Sequence, residues 1–497
     1  MVRLPWVIEK NQKTLIWMYH ELMTSALHIR IDRSAPTTLT EQIRAGVLAA
    51  IDSGALAPGA RLPSWLALAA QLGVARGTVK AAYERLADEQ VIVSSRQGGT
   101  RVADHPASRA GVAPQSEAET PPALYQHLFG GAAMFQMGVP GSDGFPASLL
   151  ARLRAHAARA ETVAPALYPD PRGEIELRRE IAAHLALARG IECRPSQVFI
   201  TAGFAGALGM TLRVLGVEGR EAWMENPGFF QSRKALELAR LVPVPVPVDE
   251  QGIDVSRGIE LAPAAALALV TPGQQAPLGA TLSLARRVAL LAWAARTGAW
   301  ILEDDYLGEL QLERRAAPAL ASLDREGRVI HMGSFSKTIS PALRLGFIVA
   351  PAGLVSAFTE AALCFGSAPG PAIQHAIADF MGEGHYMRHL RRMKRIYSAK
   401  SHALQAALEA NGYRAHIGGL GAVMYLPDDV PDIDVAREAR VHGLAPVPLS
   451  PWFSPGTVHR PGLLLGVATV DEARLATACR QLHRLIEDAA LKARPRS

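Results

Sequence analysis

Between Val198 and Glu303 the chain repeats one rhythm, a short apolar run followed by a stretch of helical periodicity, and few folds accept it. Val198–Thr201, Glu221–Glu225, Leu267–Thr271 and Trp300–Glu303 read as strands, while Ala205–Leu215, Gln231–Ala239 and Leu284–Thr297 space their apolar residues as helices do. This alternation predicts an α/β domain built on a large, mixed or mostly parallel sheet. Ligands of such sheets gather beyond the carboxyl ends of the strands, so the loops there carry the functional argument. The apolar segment Leu261–Val270 reads as a buried strand, being shorter than the roughly 18–20 residues of a membrane span.

Those loops hold a consistent inventory. Thr201–Gly206 is a strand-to-helix turn whose amides suit a phosphate at a helix amino terminus. Glu225-Asn-Pro-Gly-Phe-Phe230 sets an aromatic after a strand, Thr271–Gly279 supplies amide side chains, and Glu303-Asp-Asp-Tyr306 ends a strand with carboxylates and a phenol. An apolar run ending in Val329-Ile330 then delivers a turn carrying Ser334, Ser336, Lys337, Thr338 and Ser340, with Arg344 seven residues past the lysine. A phosphorylated aldehyde cofactor needs an amine, hydroxyls and amides for its phosphate, and a bidentate cation. Each loop alone also reads as a solvated turn or a core aromatic. Their order along the chain points to a cofactor site around Lys337.

The chain has 497 residues, more than the roughly 250–300 that one core supports, and its beginning has a different character. Residues 1–24 fit either one amphipathic helix (Trp6, Leu15, Ile16, Trp17, Met18, Leu22) or an upstream start, with Met18 or Met23 as the working one. Leu39–Ile51 has helical spacing and stops at Gly54, and Pro58-Gly59 turns the chain. Leu62–Leu72 makes a short helix with Ser64 as N-cap, Gly73 breaks it, and Val74–Ala87 forms a third helix. This is a helix-turn-helix whose reading helix presents Arg76, Thr78 and Lys80. Val91–Ser95 and Thr100–Val102 then flank the hairpin tip Arg96-Gln97-Gly98-Gly99, suited with Thr100 to a phosphate backbone or minor groove. The module's net charge is only about +2, so charge alone does not separate DNA binding from a helical dimerisation domain. Ala103–Pro122, rich in proline and alanine, reads as a linker. The expected division is an extension at 1–24, a winged helix-turn-helix domain at 25–103, a linker at 104–125 and a large domain at 126–497.

Two motif sets carry a resemblance. Arg61-Leu-Pro-Ser64, Leu68-Ala69, Leu72-Gly-Val74, Arg76, Thr78-Val79, Ala82-Tyr83, Leu86 and Gly98-Gly-Thr100 resemble the winged helix of GntR-family regulators. Tyr168-Pro-Asp-Pro-Arg-Gly173, Thr201-Ala-Gly203, Glu225-Asn-Pro-Gly228, Thr271-Pro272, Glu303-Asp-Asp-Tyr306, Ser334-Phe-Ser-Lys337 and Leu343-Arg-Leu-Gly346 resemble fold-type I aminotransferases. Together, over nearly all of the chain after about residue 35, they look like a MocR-type transcriptional regulator. The resemblance implies pyridoxal 5'-phosphate bound as a Schiff base on Lys337, with Asp304 at the pyridine nitrogen and Tyr306 at the ring hydroxyl. It assigns the phosphate to Ser334, Ser336, Arg344 and the Gly203 and Phe204 amides, and the stacking ring to Phe229. It also implies a head-to-tail homodimer in which Tyr168 of the partner subunit completes the site.

The chain departs from that pattern at several places. The family's carboxylate-binding arginine falls in the strand Leu463-Leu-Leu-Gly-Val-Ala468, where Leu464 stands; a shifted alignment would have Arg460 supply the charge. Gln274 stands beside the ring where histidine or asparagine is common, and Gly421 where many members have histidine. In the winged helix, Leu66 replaces a DNA-contacting arginine and Gln90 a glycine. Losing a bidentate clamp weakens carboxylate binding by about 2–4 kcal/mol. The expectation is therefore a sensor that binds operator DNA and responds to pyridoxal phosphate itself or to an amine, with weak transaminase activity at most. The alternative is an active aminotransferase with an accessory DNA-binding domain. Three scattered cysteines (Cys193, Cys364, Cys479) offer neither a disulfide framework nor a metal site, and suggest a cytoplasmic protein.

Overall fold

The computed structural model describes residues 29–95, 99–103, 133–163, 167–312, 317–366 and 368–493. The chain divides into two compact units, Met1–Glu119 and Thr120–Ser497.

In the first unit three helices, α1 (Leu39–Asp52), α2 (Trp65–Leu72) and α3 (Arg76–Asp88), precede the hairpin of β1 (Ile92–Ser95) and β2 (Gly99–Val102). Ser64 caps α2, its hydroxyl accepting from Ala67 N at 3.1 Å, and Gly73 ends that helix in the left-handed region at φ 64°. A side chain there would be strained, which is why glycine makes this turn. Ile43, Val47, Leu68, Val79, Ala82 and Leu86 are wholly buried and pin the three helices together. Tyr83 adds a tie, its hydroxyl donating to Pro63 O at 2.9 Å.

The second unit holds an eight-stranded sheet. Its strands are β3 (Val198–Thr201), β4 (Glu221–Asn226), β5 (Val242–Asp249), β6 (Gly252–Ile253), β7 (Leu267–Val270), β8 (Trp300–Asp305), β9 (Val329–Ser334) and β10 (Gly346–Val349). Their spatial order is β3-β10-β9-β8-β7-β4-β5-β6. The pairs β9-β8, β8-β7, β7-β4 and β4-β5 are parallel, while β10 runs antiparallel to both β9 and β3. Every residue of β3, β7 and β10 is buried, as expected of a sheet covered on both faces. The segment Leu261–Val270 is not one strand: Leu261 closes the helix Val255–Leu261 and is exposed, Pro263 interrupts, and only Leu267–Val270 pairs. In β5 the alternate residues Pro243, Pro245 and Pro247 turn their missing N–H groups to the outer edge, because Val242 N donates inward to Arg220 O. Such an edge resists pairing with another chain.

A second sheet, in the order β11-β12-β14-β13, is antiparallel and comprises β11 (Ala415–Gly418), β12 (Gly421–Tyr425), β13 (Val447–Pro448) and β14 (Gly462–Gly466). Among the described residues no helix is long and apolar enough to cross a membrane.

Candidate functional site

The sheet topology brings the expected loops to one edge. Gly346 pairs with Thr201 on one side and Ser334 on the other, so the turns after β3 and β9 flank one glycine. A Cβ on Gly346 would lie 2.9 Å from the Gly203 backbone, which explains the residue type. Gly203 itself sits at φ 71° and opens the helix Gly203–Leu215, whose amino end has no side-chain cap. Its first amides point outward with the positive end of the helix dipole. Arg344, at φ 49°, donates from Nη2 to Ala202 O at 3.2 Å, which holds its guanidinium beside that turn. Ser334 Oγ accepts from Ser336 N at 3.1 Å and bonds Ser336 Oγ at 2.9 Å, so the two hydroxyls share one turn with Lys337.

Lys337 is half-buried, and its Nζ donates to Gly138 O at 2.6 Å. Burial pushes its pKa below the usual lysine range, and Asp304 opposes that. Asp304 is buried at the end of β8. Burial, together with Asp305 and Glu225, holds its carboxyl well above the usual range, while Lys337 pulls it down. Tyr306 lies next on the same loop, its phenol pushed up by burial and by Asp304 and Glu225. Phe229, at the amino end of the helix Phe230–Leu238, packs 5.6 Å from Trp452 and 5.4 Å from Phe230, ring centre to ring centre. The loop after β7 splits its two amides. Gln275 is spent on Pro227 O and Ala276 O, whereas Gln274 Oε1 is buried and has no partner among the described residues.

Sequence reading missed several groups that shape this edge. Gly138 lies 199 residues from Lys337, and only its position in a short glycine- and proline-bearing stretch hinted at it. Glu225 is fully enclosed, accepts from Thr271 N at 3.0 Å and Thr271 Oγ1 at 2.5 Å, and is pushed up to about 7 by burial. Arg189 pairs with Asp305 at 2.7 Å beneath the same loop. Tyr168 is fully exposed on its own chain. Arg460 does not reach the site: its Nε donates to Leu426 O, and its guanidinium lies over the Tyr425 ring.

In the first unit, Arg76 and Lys80 are exposed on α3, Thr78 is half-buried between them, and Ser64 and Leu66 are exposed on α2. Gly99, at φ 71°, pairs with Ser95 at the hairpin, and Thr100 pairs with Ser94. Arg96, Gln97 and Gly98 lie outside the described residues, as do residues 1–24 and 104–125.

Comparison with known proteins agrees with both halves. Residues 39–102 match the family described as bacterial regulatory proteins, gntR family, and residues 142–482 match aminotransferase class I and II. The probable rhizopine catabolism regulatory protein MocR of Rhizobium meliloti is 34% identical over 465 residues, covering 89% of this chain and 92% of that one. The pyridoxine biosynthesis transcriptional regulator PdxR of Corynebacterium glutamicum is 32% identical, covering 90% and 95%. Among solved structures, the alpha-aminoadipate aminotransferase LysN of Thermus thermophilus, complexed with N-(5'-phosphopyridoxyl)-L-leucine, superposes with a TM-score of 0.67. It is 28% identical and covers 74% of this chain and 95% of that one. A kynurenine aminotransferase of Pyrococcus horikoshii, 22% identical with a TM-score of 0.65 over 73% of this chain and 93% of that one, shares the fold. With a gntR-type helix-turn-helix ahead of an aminotransferase-like domain, and relatives of the same two-part build along nearly its whole length, this chain belongs to the MocR-type transcriptional regulators.

Proposed function

We propose that this regulator binds operator DNA through its first unit and holds pyridoxal phosphate on Lys337 in its second, using that site as a sensor. The carrying observation is the assembly at one sheet edge of Lys337, Asp304, Arg344 and an uncapped helix amino terminus. These residues fit the cofactor. Asp304 is a buried carboxyl that makes no ion pair among the described residues, with Lys337 only partly offsetting its burial, and a protonated ring nitrogen would let it ionise. The Gly203 and Phe204 amides, with Ser334, Ser336 and Arg344, offer neutral donors and one fixed charge for a phosphate. Lys337, its ammonium disfavoured by burial, supplies a nucleophilic amine. Phe229 and Gln274 would flank the cofactor ring and Tyr306 would bond its hydroxyl. When bound, pyridoxal phosphate supplies an electrophilic carbon that accepts one amine in exchange for another.

Arg76, Thr78 and Lys80 on α3, with Ser64 and the Arg96–Thr100 tip, would meet the duplex, and a cytoplasmic homodimer would place Tyr168 of the partner subunit over the cofactor. A ligand of the site alters operator affinity only if it binds one state of the dimer better than the other. The sensor reading is favoured over catalysis because Leu464, not a cation, occupies the strand beside the site and Arg460 is engaged elsewhere. The test is operator binding by the full chain with and without pyridoxal phosphate, alongside transamination with common amino donors. Operator affinity that depends on the cofactor, without sustained turnover, supports the sensor. Steady turnover with no operator binding refutes it.

A further inference from the structure

Lys337 lies in a single turn that no longer helix continues. Ile339 N and Ser340 N both donate to Phe335 O, at 2.8 and 3.2 Å, and among the described residues no backbone N–H reaches Thr338 O. That carbonyl is taken instead by His389 Nε2 at 2.7 Å. A carbonyl only accepts, so Nε2 carries the hydrogen. Burial pushes the imidazole pKa below its usual range and keeps the ring neutral, and the buried Nδ1 has no partner among the described residues. The Thr338 hydroxyl is held from the same side, 3.2 Å from Tyr386 Oη, which is itself 3.0 Å from Glu309 Oε2. Burial opposes the ionisation of Glu309, but bonds from His184 and Tyr386 hold its carboxyl below the usual range. An ionised carboxylate only accepts, so Tyr386 spends its one proton on Glu309 and the Thr338 hydroxyl donates to Tyr386.

Tyr386 and His389 stand three apart on the helix His385–Glu409 and so share one face. Tyr397 and Lys400 continue that buried stripe. Tyr397 Oη accepts from Gly141 N at 2.8 Å, and Lys400 Nζ donates to Asp143 at 2.5 Å and to Ala468 O at 3.1 Å. Gly141 and Asp143 belong to the segment whose Gly138 O accepts from Lys337 Nζ. One helix face therefore fixes the lysine at both ends, its backbone through Thr338 and the acceptor of its amine through Gly141 and Asp143. A helix face that served packing alone would be cheaper to bury without polar groups. We infer that Tyr386 and His389 are positioning residues, which through Thr338 set the place from which the Lys337 amine meets the cofactor aldehyde. This rests on the proposal that Lys337 holds pyridoxal phosphate. A displacement of about 1 Å costs such an attack on the order of a hundredfold, so the effect belongs in the rate of capture by the lysine and not in how well the pocket holds the cofactor.

The experiment mixes full-length protein with pyridoxal phosphate and follows the growth of the visible band and its circular dichroism. Tyr386→Phe and His389→Leu are each expected to slow that growth at least about tenfold and to alter the visible dichroism. His389→Gln, which keeps an N–H of similar reach, is expected to restore most of the rate. In a Lys337→Ala background, Tyr386→Phe is expected to leave the affinity for pyridoxal phosphate, measured by equilibrium dialysis, unchanged. Unaltered rates and dichroism in both variants would overturn the inference. So would a loss of affinity in the Lys337→Ala background as large as the loss of rate, which would make these residues supports of the whole pocket. If His389→Leu does not fold, Tyr386→Phe decides the matter, together with Thr338→Val set against Thr338→Ser. No visible band in the unaltered protein, or a band that survives Lys337→Ala, would instead remove the cofactor reading and this inference with it.

Discussion

Arg189 offers the sharpest test of how the loop after β8, which carries the proposed cofactor residues, is held. Its guanidinium is about 1% exposed, donates from Nε to Asp305 at 2.7 Å and from Nη1 to Ala317 O at 2.7 Å, and sits directly below the residue that follows Asp304. Burial works against its charge, but Asp305 and Glu303 hold its pKa above the usual range. Charge-assisted bonds contribute about 1.5–3 kcal/mol each, so two account for about 3–6 kcal/mol. Arg189→Met also leaves the Asp305 carboxylate, 6% exposed, with His331 Nε2 at 3.9 Å as its one remaining cationic neighbour among the described residues. The expected loss in the second unit is about 3–5 kcal/mol, because one partner of a buried pair remains unpaired. Asp305→Asn should cost a comparable amount, and the double variant should fall at least about 2 kcal/mol short of the sum. Urea unfolding followed by tryptophan fluorescence reports this, because Trp223 and Trp293 are wholly buried and stacked 3.9 Å apart in this unit. Single losses below about 1 kcal/mol that simply add in the double variant would refute the reasoning.

Other expectations follow from single groups. Glu225, with an ordinary value of 4.5 and a folded value of about 7, binds its proton more tightly when folded; its contribution is therefore complete below pH 4.5 and lost as pH rises through about 7. Glu225→Gln should flatten the fall in stability across that window, a slope of up to about 1.4 kcal/mol per pH unit, read by urea titrations at several pH values. Ser64→Ala removes the cap on Ala67 N and should destabilise the first unit by about 1 kcal/mol, measured by thermal unfolding of the full chain, with Ser64→Gly recovering part of it. Arg76→Ala should weaken operator binding and reduce the slope of log affinity against log salt by about one, and an unchanged slope would place Arg76 away from the phosphates.

Much of this architecture was legible because local signals agreed. The predicted helix Leu284–Thr297 has the observed bounds, with Ser283 capping it and Gly298 closing it in the left-handed region. The turn at Gly73 and the Ser64 cap were readable for the same reason. Leu261–Val270 misled because helix end, proline turn and buried strand are all apolar there, and composition carries no boundary. What escaped sequence reading depends on contacts across long stretches of chain. Gly138 meets Lys337 only through tertiary packing, and Arg189 finds Asp305 across 116 residues. The antiparallel entry of β10 between β3 and β9 likewise has no local signature, yet it sets the Gly203 and Ser334 turns side by side.

The central claim is that Lys337 anchors pyridoxal phosphate, and the visible absorbance of the purified full-length protein titrated with that compound tests it most directly. A saturable visible band in the unaltered chain that is absent from Lys337→Ala, with both proteins folded by circular dichroism, is the predicted result. A protein that shows no band, or whose lysine variant keeps it, would contradict the account of the second unit while leaving the DNA-binding unit untouched.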